Sequence, residues 1–263
     1  MHFEVLVEDQ SGKTALEILL PKILDGRHTV EVHSYKGIGR IPKGLKATSD
    51  PRKRILLDRL PKLLSGFGEK FSSYPSDYLA AVIVVCDLDS RRLQPFLHEL
   101  QACLDTCNPA PMTRFCIAIE EGEAWFFGDI PAIKRAYPKA KDKILNSYVN
   151  DSICGTWEQL ADAITPGGAK KLLKQGWVAV GAEKSQWSAA ITPHMDIESN
   201  KSPSFIHFRD KIRELTCASE KCLNLSHGHI LASNGVLNQM IDTDLTIEIN
   251  RECPVEKIIR AKN

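Results

Sequence analysis

The most apolar run of the chain covers residues 79–86 and ends at two acidic residues, Asp87 and Asp89. Such a run predicts a buried strand of an α/β sheet. Residues two positions apart on an extended chain point to the same side, and ligands of open α/β sheets bind beyond the carboxyl ends of the strands. The pair therefore predicts a Mg²⁺ site, because Mg²⁺ prefers hard oxygen ligands. The same residues, with Ser90, could instead cap a helix or shape a turn.

Length and charge limit the class of protein. The 263 residues suffice for one large α/β domain, with or without a helical annex, around a substantial core. The 34 basic and 33 acidic side chains nearly cancel, so any nucleic-acid surface must be local. The first residues lack the pattern of a signal peptide, and no apolar stretch approaches the length of a membrane span. We therefore expect a cytoplasmic protein without membrane contact.

Strand and helix patterns alternate along the first half of the chain. The predicted strands cover residues 3–8, 28–34, 79–86 and 114–119, and the predicted helices cover residues 14–24, 51–64 and 93–104. This alternation predicts an α/β fold with a doubly wound, mainly parallel, Rossmann-like sheet. After residue 129 the strand signals fade into short helices. We predict an α/β domain over 1–129, a helical annex packed on it over 130–215, and a C-terminal extension over 216–263.

The first strand is followed by a sequence that resembles only part of a nucleotide-binding loop. Residues 11–14 read Ser-Gly-Lys-Thr at the start of a helix, but the full pattern needs a glycine five residues before the Gly-Lys pair, where the chain has Val7. Without that glycine the backbone N–H groups cannot wrap a phosphate. The turn does offer Glu8, which we place on the same sheet edge as Asp87 and Asp89.

The cysteines give little support for a structural metal. Scattered cysteines in a cytoplasmic chain of this size are expected to be reduced and mostly buried. One local group has zinc-compatible ligand types, Cys217, Cys222, His227 and His229. Its spacing lacks the paired Cys-x-x-Cys of usual zinc sites, so we do not predict zinc there.

One acidic residue after the first strand, followed later by Asp-x-Asp, resembles the Toprim domain of topoisomerases, primases and OLD-type nucleases. More closely, the chain resembles the bacterial Toprim-like family of unknown function numbered four-two-seven-six over roughly residues 1–215. The segments that carry this resemblance are Val7-Glu8-Asp9-Gln10-Ser11, Lys36-Gly37-Ile38-Gly39, Asp87-Leu88-Asp89, Glu123-Ala124-Trp125 and Ser202-Pro203-Ser204-Phe205. The chain departs from the Toprim pattern at Asp9, where a glycine is common.

The resemblance implies Mg²⁺- or Mn²⁺-dependent cleavage of phosphodiester bonds. Asp87 and Asp89 would hold metal, and Glu8 would be a metal ligand or the general acid/base. One metal would polarise the phosphate, and a second could activate water and stabilise the leaving oxygen. Glu123 is the fourth candidate, with Glu120 and Glu121 competing for its place in the sequence. Glu123 could equally be a first-turn helix residue favoured by the helix dipole.

A basic, glycine-containing segment precedes the second helix. Its candidate nucleic-acid-binding residues are Lys36, Arg40, Lys43, Arg52, Lys53 and Arg54. Glycines let the backbone approach a phosphate closely, so the segment can grip a nucleic-acid strand beside the acidic site. A solvated helix face with a mobile loop is the alternative. Further along, Lys184 and His194 could reach the site or could merely brace a helix pair.

Two functional classes remain open at this stage. Members of the resembled family often appear beside SMC- or OLD-like ATPases, which implies a nuclease that acts as effector of a bacterial antiphage defence pair with an ATPase partner. Its substrate would be DNA, tRNA or other RNA, and a homo-oligomer is possible. The alternative is a non-catalytic Toprim scaffold that binds nucleic acid or the ATPase.

Overall fold

The computed structural model describes residues 1–24, 26–42 and 54–226, with side chains up to residue 217. A four-stranded sheet with parallel strands lies at its centre. The strands are β1 (His2–Val7), β2 (Thr29–Ser34), β3 (Ala80–Asp87) and β4 (Thr113–Ala118). Their order is β2-β1-β3-β4, so the chain starts inside the sheet and winds outward in both directions. This confirms the predicted doubly wound α/β class.

Helices cover both faces of the sheet. The crossover helices are α1 (Gln10–Ile23), α2 (Leu56–Ser72) and α3 (Leu93–Asp105). Successive residues of a strand point to opposite faces. In β3, Ile83 and Val85 therefore join the apolar core under α1, whereas Val84 and Cys86 join the core under α2 and α3. Burial on both faces explains why residues 79–86 are continuously apolar.

The second half of the chain is helical and extends the core on the α1 side. Its helices are α4 (Glu123–Phe127), α5 (Ile130–Ala136), α6 (Asp142–Leu145), α7 (Thr156–Ile164), α8 (Gly168–Leu173), α9 (Trp177–Ile191) and α10 (Pro203–Ser226). Trp187 of α9 and Phe205 and Phe208 of α10 are fully buried in the same core cluster as the apolar residues of α1. The helical region therefore shares one core with the sheet.

A buried polar network joins α4 to α10. The Trp125 indole N–H donates to Ser204 Oγ at 3.0 Å, and the Asn200 side-chain amide donates to the Trp125 carbonyl at 2.8 Å. The Asp151 carboxylate accepts from Ser202 Oγ at 2.7 Å and from the Ser204 backbone N–H at 2.6 Å. Two of the short segments that carry the family resemblance thus contact one another, and this contact fixes the start of the helix that begins at residue 123.

Several boundaries differ from the sequence prediction. The helix predicted over 51–64 begins at Leu56 and continues to Ser72, because Phe67 and Phe71 keep packing on the core beyond residue 64. Residues 43–53 and the β-like stretch at 245–249 lie outside the described residues. Helix α10 runs through the predicted domain limit at residue 215. Among the described helices, none is long and apolar enough to cross a membrane.

Two glycines of α2 provide a matched test of the packing. A Cβ at Gly68 would lie far inside contact distance of the Pro109 carbonyl oxygen, whereas a Cβ at Gly66 would meet nothing within 4 Å. We expect Gly68→Ala to lower the free energy of unfolding by about 2 kcal/mol or more, because backbone must move. Gly66→Ala should raise it by up to about 1 kcal/mol through helix propensity.

Urea unfolding of both variants beside the wild type measures the difference. Equal effects of the two substitutions would contradict the close approach of α2 to the chain around Pro109.

Candidate active site

The candidate site lies at the carboxyl edge of the sheet, where β1, β3 and β4 end side by side. Glu8 follows β1, Asp87 is the last residue of β3, and Glu123 begins α4 after β4. Because β1 and β4 both pair with β3, the parallel register places these ends together. The structure therefore brings Glu8, Asp87 and Glu123 to one edge. Together with the nearby carboxylates we call them the acidic cluster, which comprises Glu8, Asp9, Asp87, Asp89, Glu121 and Glu123.

Glu8 and Asp87 are directly linked. The Asp87 backbone N–H donates to Glu8 Oε2 at 3.3 Å. Burial, together with the charges of Asp9 and Asp89, raises the pKa of Glu8 to about 7. Burial and the neighbouring Glu8 raise the pKa of Asp87 well above its ordinary value. The charge of Lys184 opposes this rise only in part, so Asp87 is a carboxylate whose charge is incompletely compensated.

Asp89 is placed differently from the expectation. The strand ends at Asp87, and Asp89 has a φ of 50°, so the alternation of an extended chain does not align the two side chains. The Asp89 carboxylate instead accepts from Arg91 at 2.7 Å, and the same guanidinium donates to the Gly39 carbonyl at 3.2 Å. Asp89 still lies near enough to Glu8 to raise its pKa. Asp89 forms the outer side of the cluster. It lies against the basic, glycine-containing segment around Gly39, which we call the basic loop.

The structure separates the roles of the acidic residues after β4. Glu120, with a φ of 59°, accepts from the backbone N–H groups of Cys154, Gly155 and Thr156 at 2.9–3.0 Å. It therefore caps α7 and does not face the cluster. Glu121 and Glu123, in contrast, both contact Lys184.

Lys184 is the cation of the cluster. Its Nζ lies 3.1 Å from an oxygen of Glu121 and 3.1 Å from an oxygen of Glu123. Burial alone would lower the pKa of Lys184, but Glu123, Glu121 and Asp87 raise it well above its ordinary value. Burial raises the pKa of Glu121 to about 8, with Lys184 opposing the rise.

The position of Lys184 depends on contacts between α1 and α9. Ser11 Oγ donates to the Lys184 carbonyl at 3.1 Å and lies 2.7 Å from Ser188 Oγ. These buried contacts hold the lysine over the sheet edge. His194, by comparison, is exposed in the turn after α9 and does not join the cluster.

The turn after β1 has no room for a phosphate loop. Only two residues separate Val7 from the start of α1, and Asp9 Oδ1 caps the helix by accepting from Gly12 N–H at 2.6 Å. A Cβ at Gly12 would lie 2.5 Å from a methyl group of Val7. Gly12 therefore serves close packing, and Asp9, at the position where Toprim proteins commonly have glycine, is a helix cap beside the cluster.

The basic loop lies against the candidate site. The Gly37 backbone N–H donates to the Glu8 carbonyl at 2.8 Å, and Lys36, Arg40 and Arg54 are exposed nearby in the chain. Arg54 also donates to the Ser34 carbonyl at 2.9 Å. The other predicted nucleic-acid-binding residues, Lys43, Arg52 and Lys53, lie outside the described residues.

A second polar cluster, which the sequence analysis missed, lies between β1 and β2. Oxygen or nitrogen atoms of Glu4, Glu31 and His33 lie within 4.8 Å of one another, a spacing that could hold a metal ion. Burial alone would raise the pKa of Glu4, but hydrogen bonds from His33 and Lys70, both at 2.6 Å, lower it to about 2. The signal was available: His2-Phe3-Glu4 and Glu31-Val32-His33 each place two polar residues on one strand face.

Another acidic residue near the site was also missed. Glu158 lies in the first turn of α7, and its Oε2 is buried without a hydrogen-bond partner among the described residues. Burial, with Glu120 and Glu123 nearby, raises its pKa. For the zinc-compatible group, Cys217 is exposed on α10, and the side chains of Cys222, His227 and His229 lie outside the described residues.

A family model described as a domain of unknown function, DUF4276, matches residues 7–213 of the chain. The match covers more than half of the 263 residues, so the chain belongs to this family. The matched range contains Glu8, Asp87, Glu123 and Lys184, whereas Glu4 lies before it. Neither the curated proteins nor the solved structures gave a match to this chain.

The acidic cluster predicts a specific dependence of stability on pH. Glu8 has a pKa of about 7 in the folded chain and an ordinary value near 4.5 otherwise, so the folded state holds its proton more tightly. In EDTA, the free energy of unfolding should therefore fall as the pH rises from 4.5 to 7, by at most about 3 kcal/mol from this group. Urea unfolding between pH 4.5 and 7.5 measures this loss.

Glu8→Gln should flatten the decline, because the amide does not titrate. Glu17→Gln is the control, since Glu17 is an exposed residue of α1 paired with Lys13. A wild-type decline that Glu8→Gln leaves unchanged would remove Glu8 from the coupled cluster.

Proposed function

We propose that this member of the DUF4276 family is a Mg²⁺- or Mn²⁺-dependent nuclease that cleaves phosphodiester bonds. The observation that carries the proposal is the group of carboxylates around Asp87 at the carboxyl edge of the sheet, which the charge of Lys184 offsets only in part. Carboxylates held close together at low exposure require either protons or a further cation. The resemblance of the surrounding segments to Toprim domains favours the cation.

The residue types present fit a divalent ion, because carboxylate oxygens are the ligands that Mg²⁺ and Mn²⁺ prefer. Asp87 and Asp89 would hold it, with Glu8 as a further ligand or as the general acid/base. Their side chains would have to draw together, since among the described residues only Glu4, Glu31 and His33 have three ligand atoms within 4.8 Å of one another. The raised pKa values of Glu8 and Asp87 are those expected of carboxylates whose burial is offset only in part by the charge of Lys184. When bound, the ion would polarise the phosphate and lower the pKa of a bound water.

The protein groups have distinct roles in this proposal. Glu8 would be either a metal ligand or, with its pKa of about 7 in the metal-free chain, the general acid/base that accepts or gives a proton near neutral pH. Arg91 positions Asp89 through the 2.7 Å contact and ties it to the basic loop at Gly39. Lys36 and Arg40 are exposed on that loop, where they can contact the phosphates of a bound strand. We extend this role to Lys43, Arg52, Lys53 and Arg54.

A non-catalytic scaffold is the second candidate function. It is favoured by one observation: Lys184 lies 3.1 Å from both Glu121 and Glu123 and thus neutralises part of the cluster without any metal. In a scaffold, this ion-paired group would brace α9 against the sheet, and the basic loop would still bind nucleic acid.

The partner and setting follow from the family resemblance. We propose that an SMC- or OLD-like ATPase gates the nuclease, as the two halves of a cytoplasmic antiphage defence pair. DNA, tRNA and other RNA are all candidate substrates, and a homo-oligomer would place two sites on one assembly.

Cleavage of tRNA, plasmid and single-stranded DNA in Mg²⁺ and Mn²⁺, with and without the ATPase, tests the proposal. Asp87→Asn should reduce the cleavage rate at least about 100-fold while keeping the fold, because it removes a metal ligand and a repulsive charge. Asp142→Asn is the control, since this exposed residue pairs only with Lys134 in the described part of the chain. Full cleavage by Asp87→Asn would contradict the nuclease assignment.

Lys184 distinguishes the two candidate functions. Lys184→Gln should lower the free energy of unfolding by roughly 3 kcal/mol in EDTA, because it leaves Glu121 and Glu123 unpaired. If the site binds metal, millimolar Mg²⁺ should restore much of this stability, whereas Lys13→Gln should lose little stability and gain none from Mg²⁺. A Lys184→Gln loss that Mg²⁺ leaves untouched would favour the scaffold.

A further inference from the structure

Helix α9 connects the acidic cluster to an exposed aromatic side chain. Trp177 precedes Lys184 by seven residues, which places the two on the same helix face, about 10 Å apart along the axis. Gly181 lies between them, and a Cβ there would meet nothing within 4 Å. The side of α9 that carries Gly181 is therefore open between Trp177 and the cluster, whereas Val180, toward the other side, is buried.

Trp177 packs against the protein at one edge of its ring, but most of its side chain is exposed to solvent. It is 72% exposed, and its ring contacts the buried ring of Trp157 in an edge arrangement with centroids 6.1 Å apart. Leu173 and Val178, at 42% and 90% exposure, extend the apolar surface around it. An exposed tryptophan whose ring packs on a buried side chain is typical of a binding surface, because exposing a large apolar side chain to water is unfavourable.

The charge next to Trp177 indicates what binds. Lys170, Lys171 and Lys174 are all exposed on or just after α8, which ends three residues before α9 begins. An aromatic face beside several lysines is the combination that holds single-stranded nucleic acid: bases stack on the ring and phosphates contact the ammonium groups. A partner that covered only the apolar residues would leave the lysines without a role, whereas a nucleic-acid strand contacts both the ring and the ammonium groups.

We propose that Trp177, with Lys170 and Lys174, is a binding site for single-stranded nucleic acid that leads toward the acidic cluster. The inference rests on the proposed nuclease function, which it deepens by naming an unpaired strand as the substrate. The base stacks on Trp177, and the lysines hold the adjoining phosphates. The distance along α9 to Lys184 corresponds to about three stacked nucleotides at ~3.4 Å each.

Binding of a fluorescein-labelled single-stranded 12-nucleotide DNA or RNA, measured by anisotropy in EDTA, tests the site without cleavage. Trp177→Ala should weaken binding by about 10-fold or more, and Trp177→Phe, which keeps an aromatic face, should recover most of the affinity. Val178→Ala is the control, because it removes a more exposed apolar side chain of the same surface without removing a ring.

The lysines make a separate contribution that salt dependence reveals. Lys170→Gln/Lys174→Gln should reduce the slope of log affinity against log salt by about 1.4, because each phosphate that a lysine neutralises contributes ~0.7 to the slope. Lys139→Gln/Lys143→Gln removes the same charge from another exposed part of the chain and should leave the slope unchanged.

These outcomes are independent of the nuclease assignment. Weaker binding by Trp177→Ala, rescued by Trp177→Phe, supports the site even if the wild type cleaves none of the substrates. No binding by the wild type, equal affinity of Trp177→Ala, or a loss equal to that of Val178→Ala would overturn the proposal. Loss of ATPase binding by Trp177→Ala with unchanged affinity for the oligonucleotide would overturn it in favour of a protein interface.

Discussion

The site depends on the repulsion between carboxylates that the fold holds together at low exposure. Glu8, Asp87 and Glu123 meet because the strands before them are parallel neighbours, and Asp9 and Glu121 lie close by. Burial raises the pKa values of Glu8 and Glu121 to about 7 and about 8, and the neighbouring carboxylates add to the rise, because like charges at low exposure cannot all be ionised without a compensating cation. The surrounding structure supplies only part of that compensation.

The helical half of the chain provides the compensation that is present. Lys184 reaches the sheet edge because Ser11 ties α1 to α9, and the buried network of Trp125, Asn200 and Ser204 ties α4 to the start of α10. Glu120 accepts hydrogen bonds at the start of α7, so its carboxylate does not join the cluster. The helices therefore do more than cover the α1 face: they position both the lysine and the glutamates that it contacts.

The sequence allowed prediction of the fold and the edge where the site lies, but not the detailed contacts. Residues 79–86 indicated a buried strand, and Glu8 and Asp87 followed from the strand ends. Asp89 was expected beside Asp87 by strand alternation, yet the positive φ of Asp89 turns it toward Arg91, and a single sequence does not reveal where a strand leaves the extended conformation. The role of Glu120 depends on α7, which begins 36 residues later along the chain. A local sequence pattern does not predict a contact over that separation.

The central claim is that the Asp87 cluster binds a divalent cation. Electron paramagnetic resonance of Mn²⁺ titrated into the full chain tests it most directly, because the same experiment on Asp87→Asn and on His33→Ala separates the proposed site from the group of Glu4, Glu31 and His33, whose ligand atoms lie within 4.8 Å of one another. We predict one bound Mn²⁺ per chain in the wild type and in His33→Ala, and none in Asp87→Asn. Mn²⁺ binding that survives Asp87→Asn and disappears in His33→Ala would place the metal between β1 and β2 and contradict the account.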